Sequence, residues 1–454
     1  MPSEDRISVA IRGGTVVTAA GSRSADVRIA GERITHVGRA PQADRTIDAT
    51  GLLVLPGCVD MHTHLATTPT FTPLDGFETG SRAAIAGGVT TVLSMVYQEE
   101  GSLRRGIERG LRDAETSSCD FSFHIVVTDP SGDAIGELPA LASEGHAGVK
   151  VFMVTRRFVE RKDDYLSLYS AAARAGVLVA VHAEDHLLIE RSTAALHLAG
   201  RTSAAHFPAS RPVEAEVLAV RAAVENATAS GARTYLVHLS SGAALEELRR
   251  AKAQGSRSVF GETRPLYLYL TRERFDRRDA ALWIGQPPLR EQSDVYAVWR
   301  ALADGTCDTV GTDHYPHSRA AKLAPGLAFD KIPPGVANLE TLLPMLYSEG
   351  VRFGRLEIER LVDVLATTPA RLAGLRSKGE VAVGMDADIV LFDPVETRTI
   401  TASAMHSACD YDPFEGWEIT GWPRTVFLRG EIAYDRHEIR AKPGAGRFVR
   451  REPA

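Results

Sequence analysis

Between residues 52 and 310 short apolar runs alternate with longer amphipathic stretches. The runs occupy 52–54, 90–96, 121–127, 149–154, 177–181, 234–239, 258–260 and 309–310, and their lengths predict strands. The intervening segments, among them 164–175, 213–230 and 242–252, carry helical spacing. In the last of these Leu245 and Leu248 share a face while Glu and Arg cover the remainder. Eight strands alternating with helices over roughly 250–300 residues is the pattern of an α/β fold closed as a (β/α)8 barrel.

The two ends of the chain follow another rhythm. Residues 7–11, 15–18, 25–30 and 33–37 are short strand-like runs separated by Gly13-Gly14, Gly21 and Gly31-Glu32. Near the other end, 388–392, 424–428 and 431–434 repeat that texture, with Arg429-Gly430 between the last two. Because chain termini often lie close together, the two β-rich ends are expected to pair into one small sheet domain.

Composition narrows the function. At 454 residues the chain exceeds one ordinary core, which predicts a large domain with a smaller one attached. A net charge of −6 argues against a nucleic-acid partner. No apolar stretch approaches a membrane span, and Met1 to Arg6 lacks an apolar signal core. The cysteines at 58, 119, 307 and 409 are scattered without a CxxC, which suits a reducing cytoplasm better than a disulfide framework.

Candidate chemistry sits where strands end. His62 and His64 close the Asp60-Met61-His62-Thr63-His64 segment, and alternate strand residues face the same way. Two imidazoles so placed form half a metal site or are two satisfied core histidines, and HxH by itself does not separate these. His182 ends 179–182, His238 ends 235–238, and Asp313 follows 309–312. Lys150 lies inside the apolar run 149–153. A buried amine is costly when charged, so a Lys there is either ion-paired or kept partly neutral and able to react with carbon dioxide. The resulting carbamate would bridge two metals. Two divalent ions bring four positive charges; a carbamate, the Asp313 carboxylate and a hydroxide offset three, leaving roughly one, which suits a neutral amide substrate.

The segments around these residues resemble the cyclic amidohydrolases, the dihydropyrimidinase, hydantoinase and allantoinase group of the amidohydrolase superfamily. Pro56-Gly57-Cys58-Val59-Asp60-Met61-His62-Thr63-His64 resembles their opening motif, and Gly148-Val149-Lys150-Val151-Phe152-Met153 their carboxylated-lysine motif. His182-Ala183-Glu184-Asp185, His238-Leu239-Ser240-Ser241 and Gly311-Thr312-Asp313-His314 resemble the later ones. So do Ser210-Arg211-Pro212 with Glu214 and Glu216, Gly261-Glu262-Thr263-Arg264-Pro265, Pro287-Pro288-Leu289-Arg290, Asp410 to Gly416 and Pro443 to Phe448. The likeness runs through nearly the whole chain in order.

This resemblance implies a distorted barrel over 57–376 and a β-sandwich from 1–56 and 377–454. It implies two divalent metals, zinc foremost with manganese as the other candidate, held by His62, His64, Lys150, His182, His238 and Asp313. It also implies a homo-oligomer, a tetramer or dimer. The expected reaction is hydrolysis of a cyclic amide or imide C–N bond by a metal-bridging hydroxide, with Asp313 as general base and then acid. The alternatives are an allantoinase, a hydrolase of an unusual lactam or imide, and a non-catalytic scaffold. Leu65-Ala66-Thr67 replaces the Arg that many dihydroorotases place after HxH, which disfavours a carboxylated ring.

Expected substrate contacts are Thr155, Gln286 and Asn338. Thr155 stands where hydantoinases have a Tyr that holds the substrate carbonyl, Gln286 where a Ser is common, and Ala337-Asn338 where Asn-Gly is usual. Tyr97 is either a packed aromatic or a hydroxyl supplied from another strand.

Overall fold

The computed structural model describes residues 8–453. Ile7, the expected start of the first strand, and the segment Met1 to Arg6 lie outside them.

Eight parallel strands form one sheet: β1 (Cys58–Thr63), β2 (Val89–Tyr97), β3 (Asp120–Val126), β4 (Gly148–Phe152), β5 (Leu178–His182), β6 (Thr234–Leu236), β7 (Val259–Thr263) and β8 (Thr309–Val310), each hydrogen-bonded to the next. The seam between β8 and β1 closes just past the strands. The Asp313 amide donates to the His62 carbonyl at 2.8 Å, and the His64 amide to the His314 carbonyl at 3.0 Å. Buried Asp60 reinforces the seam by accepting from the Thr312 hydroxyl and from the His62 amide. Helices cover the outside; 213–230 forms the helix Val213–Ser230 and 242–252 extends one residue to Gly242–Ala253.

Register decides what points inward. Tyr97 pairs with Val126, Val126 with Lys150, Lys150 with Ala180, and Ala180 with Tyr235, so these residues share one layer. Alternate positions such as Val149, Val151, Val179 and Val181 pack against the helices. Below the layer, Val59, Met61, Leu93 and Leu178 pack with Ala370, Leu372 and Leu375 and fill the interior. The Arg451 guanidinium closes that end by donating to the carbonyls of Phe123 and Ala373.

The chain ends build two further sheets. One is four-stranded, ordered Arg33–Gly38, Asp26–Ala30, Ser8–Arg12, Arg45–Asp48. The other is seven-stranded and joins Thr15–Thr18, Gly21–Ser24 and Leu53–Pro56 to Ile389–Thr399, Glu418–Leu428, Glu431–Asp435 and Glu438–Ile439. Val9, Ile11, Val27 and Ile29 of the first face Val54, Ile389, Leu391 and Phe427 of the second. The period of two sends the neighbouring Leu55, Val390 and Phe392 to the barrel side.

Of the run at 52–54, which periodicity alone counts among the eight, Leu53 and Val54 belong to the seven-stranded sheet. Gly57 marks the transfer into β1. A Cβ there would lie 2.1 Å from the Thr90 hydroxyl, so only glycine lets the chain pass so close to β2.

Candidate metal centre

Every residue with expected metal chemistry projects from the carboxyl end of the barrel. His62 lies on β1 and His64 one residue beyond it; Lys150 is inside β4; His182 is the last residue of β5. His238 and Asp313 follow β6 and β8 on turns where the backbone turns left-handed, with φ of 44° and 50°. Non-glycine residues rarely adopt that region, and they hold it only when neighbours over-determine it. The His238 amide is held by Glu262 Oε1 at 3.0 Å, and the Leu239 amide by the Glu262 carbonyl at 2.7 Å.

Two groups of ligand atoms converge. His62 Nε2 and His64 Nε2 lie 3.4 and 3.2 Å from Asp313 Oδ1, and these three side chains can hold a metal ion. His182 Nδ1 and His238 Nε2 lie 3.1 Å apart. Lys150 is fully buried, and its Nζ has no hydrogen-bond partner among the described residues.

Carboxylates behind the imidazoles select their tautomers. His62 Nδ1 donates to Glu262 Oε1 at 2.8 Å, which leaves Nε2 bare toward Asp313. His182 Nε2 donates to Glu184 Oε2 at 2.7 Å, which leaves Nδ1 bare toward His238. Glu262 also accepts from the Tyr235 hydroxyl at 2.7 Å. Gly311 makes room for it, because a Cβ there would meet Glu262 Oε2 at 2.2 Å.

Burial sets the electrostatics. It pulls the Lys150 amine down to about 7 and pushes the Glu262 carboxyl up to about 7. Burial also drives His62 and His238 well below the ordinary imidazole range, so both are neutral and can donate a lone pair. Glu184 goes the other way: burial would raise it, but the Arg211 guanidinium and His182 hold it down at about 2. Asp313 likewise stays well below the carboxylate range, because the Arg264 guanidinium outweighs its burial.

The donor set therefore suits divalent metal. Four imidazoles and one ionised carboxylate line one cleft, and an unpartnered amine of lowered basicity is buried on the neighbouring strand.

A cleft of about 170 Å³ opens over these residues, lined also by Tyr97, Phe152, Gln286, Tyr315, Pro334 and Gly335. Gln286 thus sits where a substrate contact is expected. Thr155 does not. Its hydroxyl donates to the Phe152 carbonyl at 3.0 Å and accepts from the Phe158 amide at 3.3 Å, capping the short helix Arg156–Glu160 outside the cleft lining. A side chain this short closes the local turn and is not part of the cleft lining. Asn338 is buried beside the site, its amide donating to His314 Nδ1 at 3.2 Å, and its side chain is not part of the lining. Tyr97 and Tyr315 are the hydroxyl-bearing side chains that do line it. A larger cleft of about 840 Å³ by Arg429, Arg440 and Lys442 contains no histidine.

Several supporting residues carry no assigned role in the sequence reading. Glu262 and Glu184 orient His62 and His182. Arg211 pairs with Glu184, while Arg290 donates to the Arg211 carbonyl at 2.6 Å and lies 3.5 Å from Glu216, which holds the Ser240 amide. Lys322, fully buried, donates to the carbonyls of Leu282, Ile284 and Gly335 and so ties two walls of the cleft together. The available signal for Glu262 was a carboxylate at an apolar strand end, the same signal that marked His182.

Comparison with known proteins agrees with this geometry. The Amidohydrolase family model matches residues 53–433. A D-hydantoinase of Ralstonia pickettii is 37% identical, over 98% of this chain and 99% of its own length. A D-hydantoinase of Rhizobium radiobacter is 38% identical over the same shares. The crystal structure of dihydropyrimidinase from Brevibacillus agri superimposes with a TM-score of 0.94 at 35% identity, covering 98% of this chain and 99% of that one. With a matching family model over most of its length and relatives of this similarity end to end, the chain belongs to the amidohydrolase family.

Proposed function

We propose that this protein opens a cyclic amide or imide ring by hydrolysing its C–N bond, using a pair of divalent metals held by His62, His64, Lys150, His182, His238 and Asp313. The observation that carries this reading is the convergence of bare imidazole nitrogens around Asp313 and an unpartnered, buried Lys150 amine. Lys150 joins the ligands as its carbamate, for which a desolvated amine of lowered basicity is the required starting state. When bound, the metal pair supplies Lewis acidity that polarises a carbonyl and acidifies a water molecule.

The side chains supply positions and protons. Asp313 Oδ1 faces the histidine pair and accepts the proton of the attacking water; it then returns that proton to the leaving ring nitrogen. Glu262 and Glu184 keep the ligating nitrogens deprotonated throughout. Phe152, Tyr97 and Tyr315 form an aromatic wall that excludes water, and Gln286 offers an amide to a polar ring edge. Relatives named D-hydantoinase and dihydropyrimidinase support hydantoin and dihydropyrimidine rings as the substrate class.

Zinc is the expected metal. Four buried free cysteines support a reducing cytoplasmic setting, and a homo-oligomer, tetramer or dimer, belongs to the same reading. No helix among the described residues is long and apolar enough to cross a membrane.

The test is hydrolysis of hydantoin, dihydrouracil, allantoin, dihydroorotate and simple cyclic imides, together with metal analysis after reconstitution with zinc and bicarbonate. Ring opening with two equivalents of metal is expected. Less than one equivalent, or no hydrolysis of any ring by metal-loaded protein, rejects the reading.

A further inference from the structure

Arg264 follows β7 directly and is fully buried. Its Nη1 donates to Asp313 Oδ2 at 2.7 Å. Its Nε and Nη2 have no hydrogen-bond partner among the described residues. The guanidinium lies 5.8 Å from the Tyr267 ring centroid.

We infer that Arg264 is a positioning residue that assigns the two oxygens of Asp313, holding Oδ2 so that Oδ1 faces His62 and His64. This inference rests on the reading of Asp313 as metal ligand and proton carrier. The terminal torsion of an aspartate is broad and two-fold, so an unanchored carboxylate presents either oxygen at varying angles. One oxygen fixed by a guanidinium removes that freedom. Arginine suits the task because it cannot lose its charge and because its planar fork directs the bond.

An ion pair kept only for folding would satisfy more of the guanidinium. Burying donors without partners is unfavourable, and here two of the three guanidinium nitrogens are left so. Arg264 therefore carries an unfavourable burial whose one charged partner among the described residues is Asp313. The pair also spans from the end of β7 to the left-handed turn after β8, so it braces the backbone that carries Asp313. Arg264 is not among the residues that line the cleft; it reaches the cleft through Asp313.

The experiment is a double-mutant cycle between Arg264→Met and Asp313→Asn in the reconstituted holoenzyme. It reads kcat, KM and the rate at which a chelator strips the metal. Arg264→Met is expected to lower kcat about 10- to 100-fold with KM changed less than about threefold, and to speed metal loss about tenfold. Arg264→Lys is expected to recover part of kcat. In the Asp313→Asn background, Arg264→Met is expected to add no further loss of metal. Wild-type kcat and metal retention in Arg264→Met overturn the inference, as does an equal effect of that substitution on chelator stripping in both backgrounds. Should Arg264→Met fail to fold, Arg264→Lys completes the same cycle. Chelator stripping reads the coupling even if no ring substrate is turned over, so failure of the proposed activity is distinguishable from failure of this inference.

Discussion

Glu262 Oε1 lies 2.8 Å from His62 Nδ1 and accepts the His238 amide as well, so one buried carboxylate on β7 aligns residues from β1 and from the turn after β6. Its protonation matters to both, and burial places it at about 7.

Glu262→Gln keeps the volume and loses the charge. Metal affinity is expected to fall about 10- to 100-fold, the usual effect of losing a partner behind a ligating histidine. Competition with a chelating dye measures this. Unchanged affinity would show that His62 needs no carboxylate behind it.

Lys150→Ala removes the only amine in the inward layer shared by Tyr97, Val126 and Ala180. Activity is expected to vanish and bound metal to drop below two equivalents, with short carboxylic acids restoring part of each. Full activity in the variant would defeat the carbamate assignment.

Arg211→Met leaves Glu184 buried without its cation. Breaking one side of a buried pair costs about 3–5 kcal/mol. The denaturant midpoint of the metal-free protein is expected to fall correspondingly, and Arg211→Met with Glu184→Gln together to cost less than Arg211→Met alone. A midpoint equal to the wild type would place this pair in solvent-like surroundings.

Asp412 is buried and its carboxyl is pushed up to about 7 by burial, against the bond it accepts from the Phe414 amide at 2.8 Å. A folded-state pKa above the unfolded value of about 3.9 means the folded state binds more protons between those limits. Its contribution is therefore present below about pH 4 and lost as pH rises through 7. Asp412→Asn is expected to flatten the fall in thermal midpoint between pH 5 and pH 8 relative to the wild type, by up to roughly 3 kcal/mol of stability. Parallel curves for the two proteins would reject this.

Much of the barrel was legible because its determinants are local. Apolar runs bounded by glycines specify strands, and the intervening periodicity specifies helices such as Val213–Ser230. Misassignment fell where no local signal exists. The run at 52–54 reads by periodicity like the barrel runs, yet its Leu53 and Val54 pair with Phe392 and Leu391, more than three hundred residues away. Which sheet a strand joins depends on that partner and on the close passage at Gly57.

The site divides along the same line. The sequence by itself determined the histidines and Asp313 as strand-end residues and Lys150 as a residue inside a strand, because the period of two and the barrel topology carry such residues toward one mouth. Tertiary structure alone decided what stands behind and beside them. Glu262 serves His62 across 200 positions of sequence, and Arg264 reaches Asp313 across 49. Thr155 follows its own local rule and caps a helix, while Tyr97 and Tyr315, from opposite ends of the barrel sequence, meet in the cleft lining. The placement of these side chains follows from backbone periodicity, which is local. Orientation, charge pairing and cleft shape follow from side chains brought together only when the barrel closes.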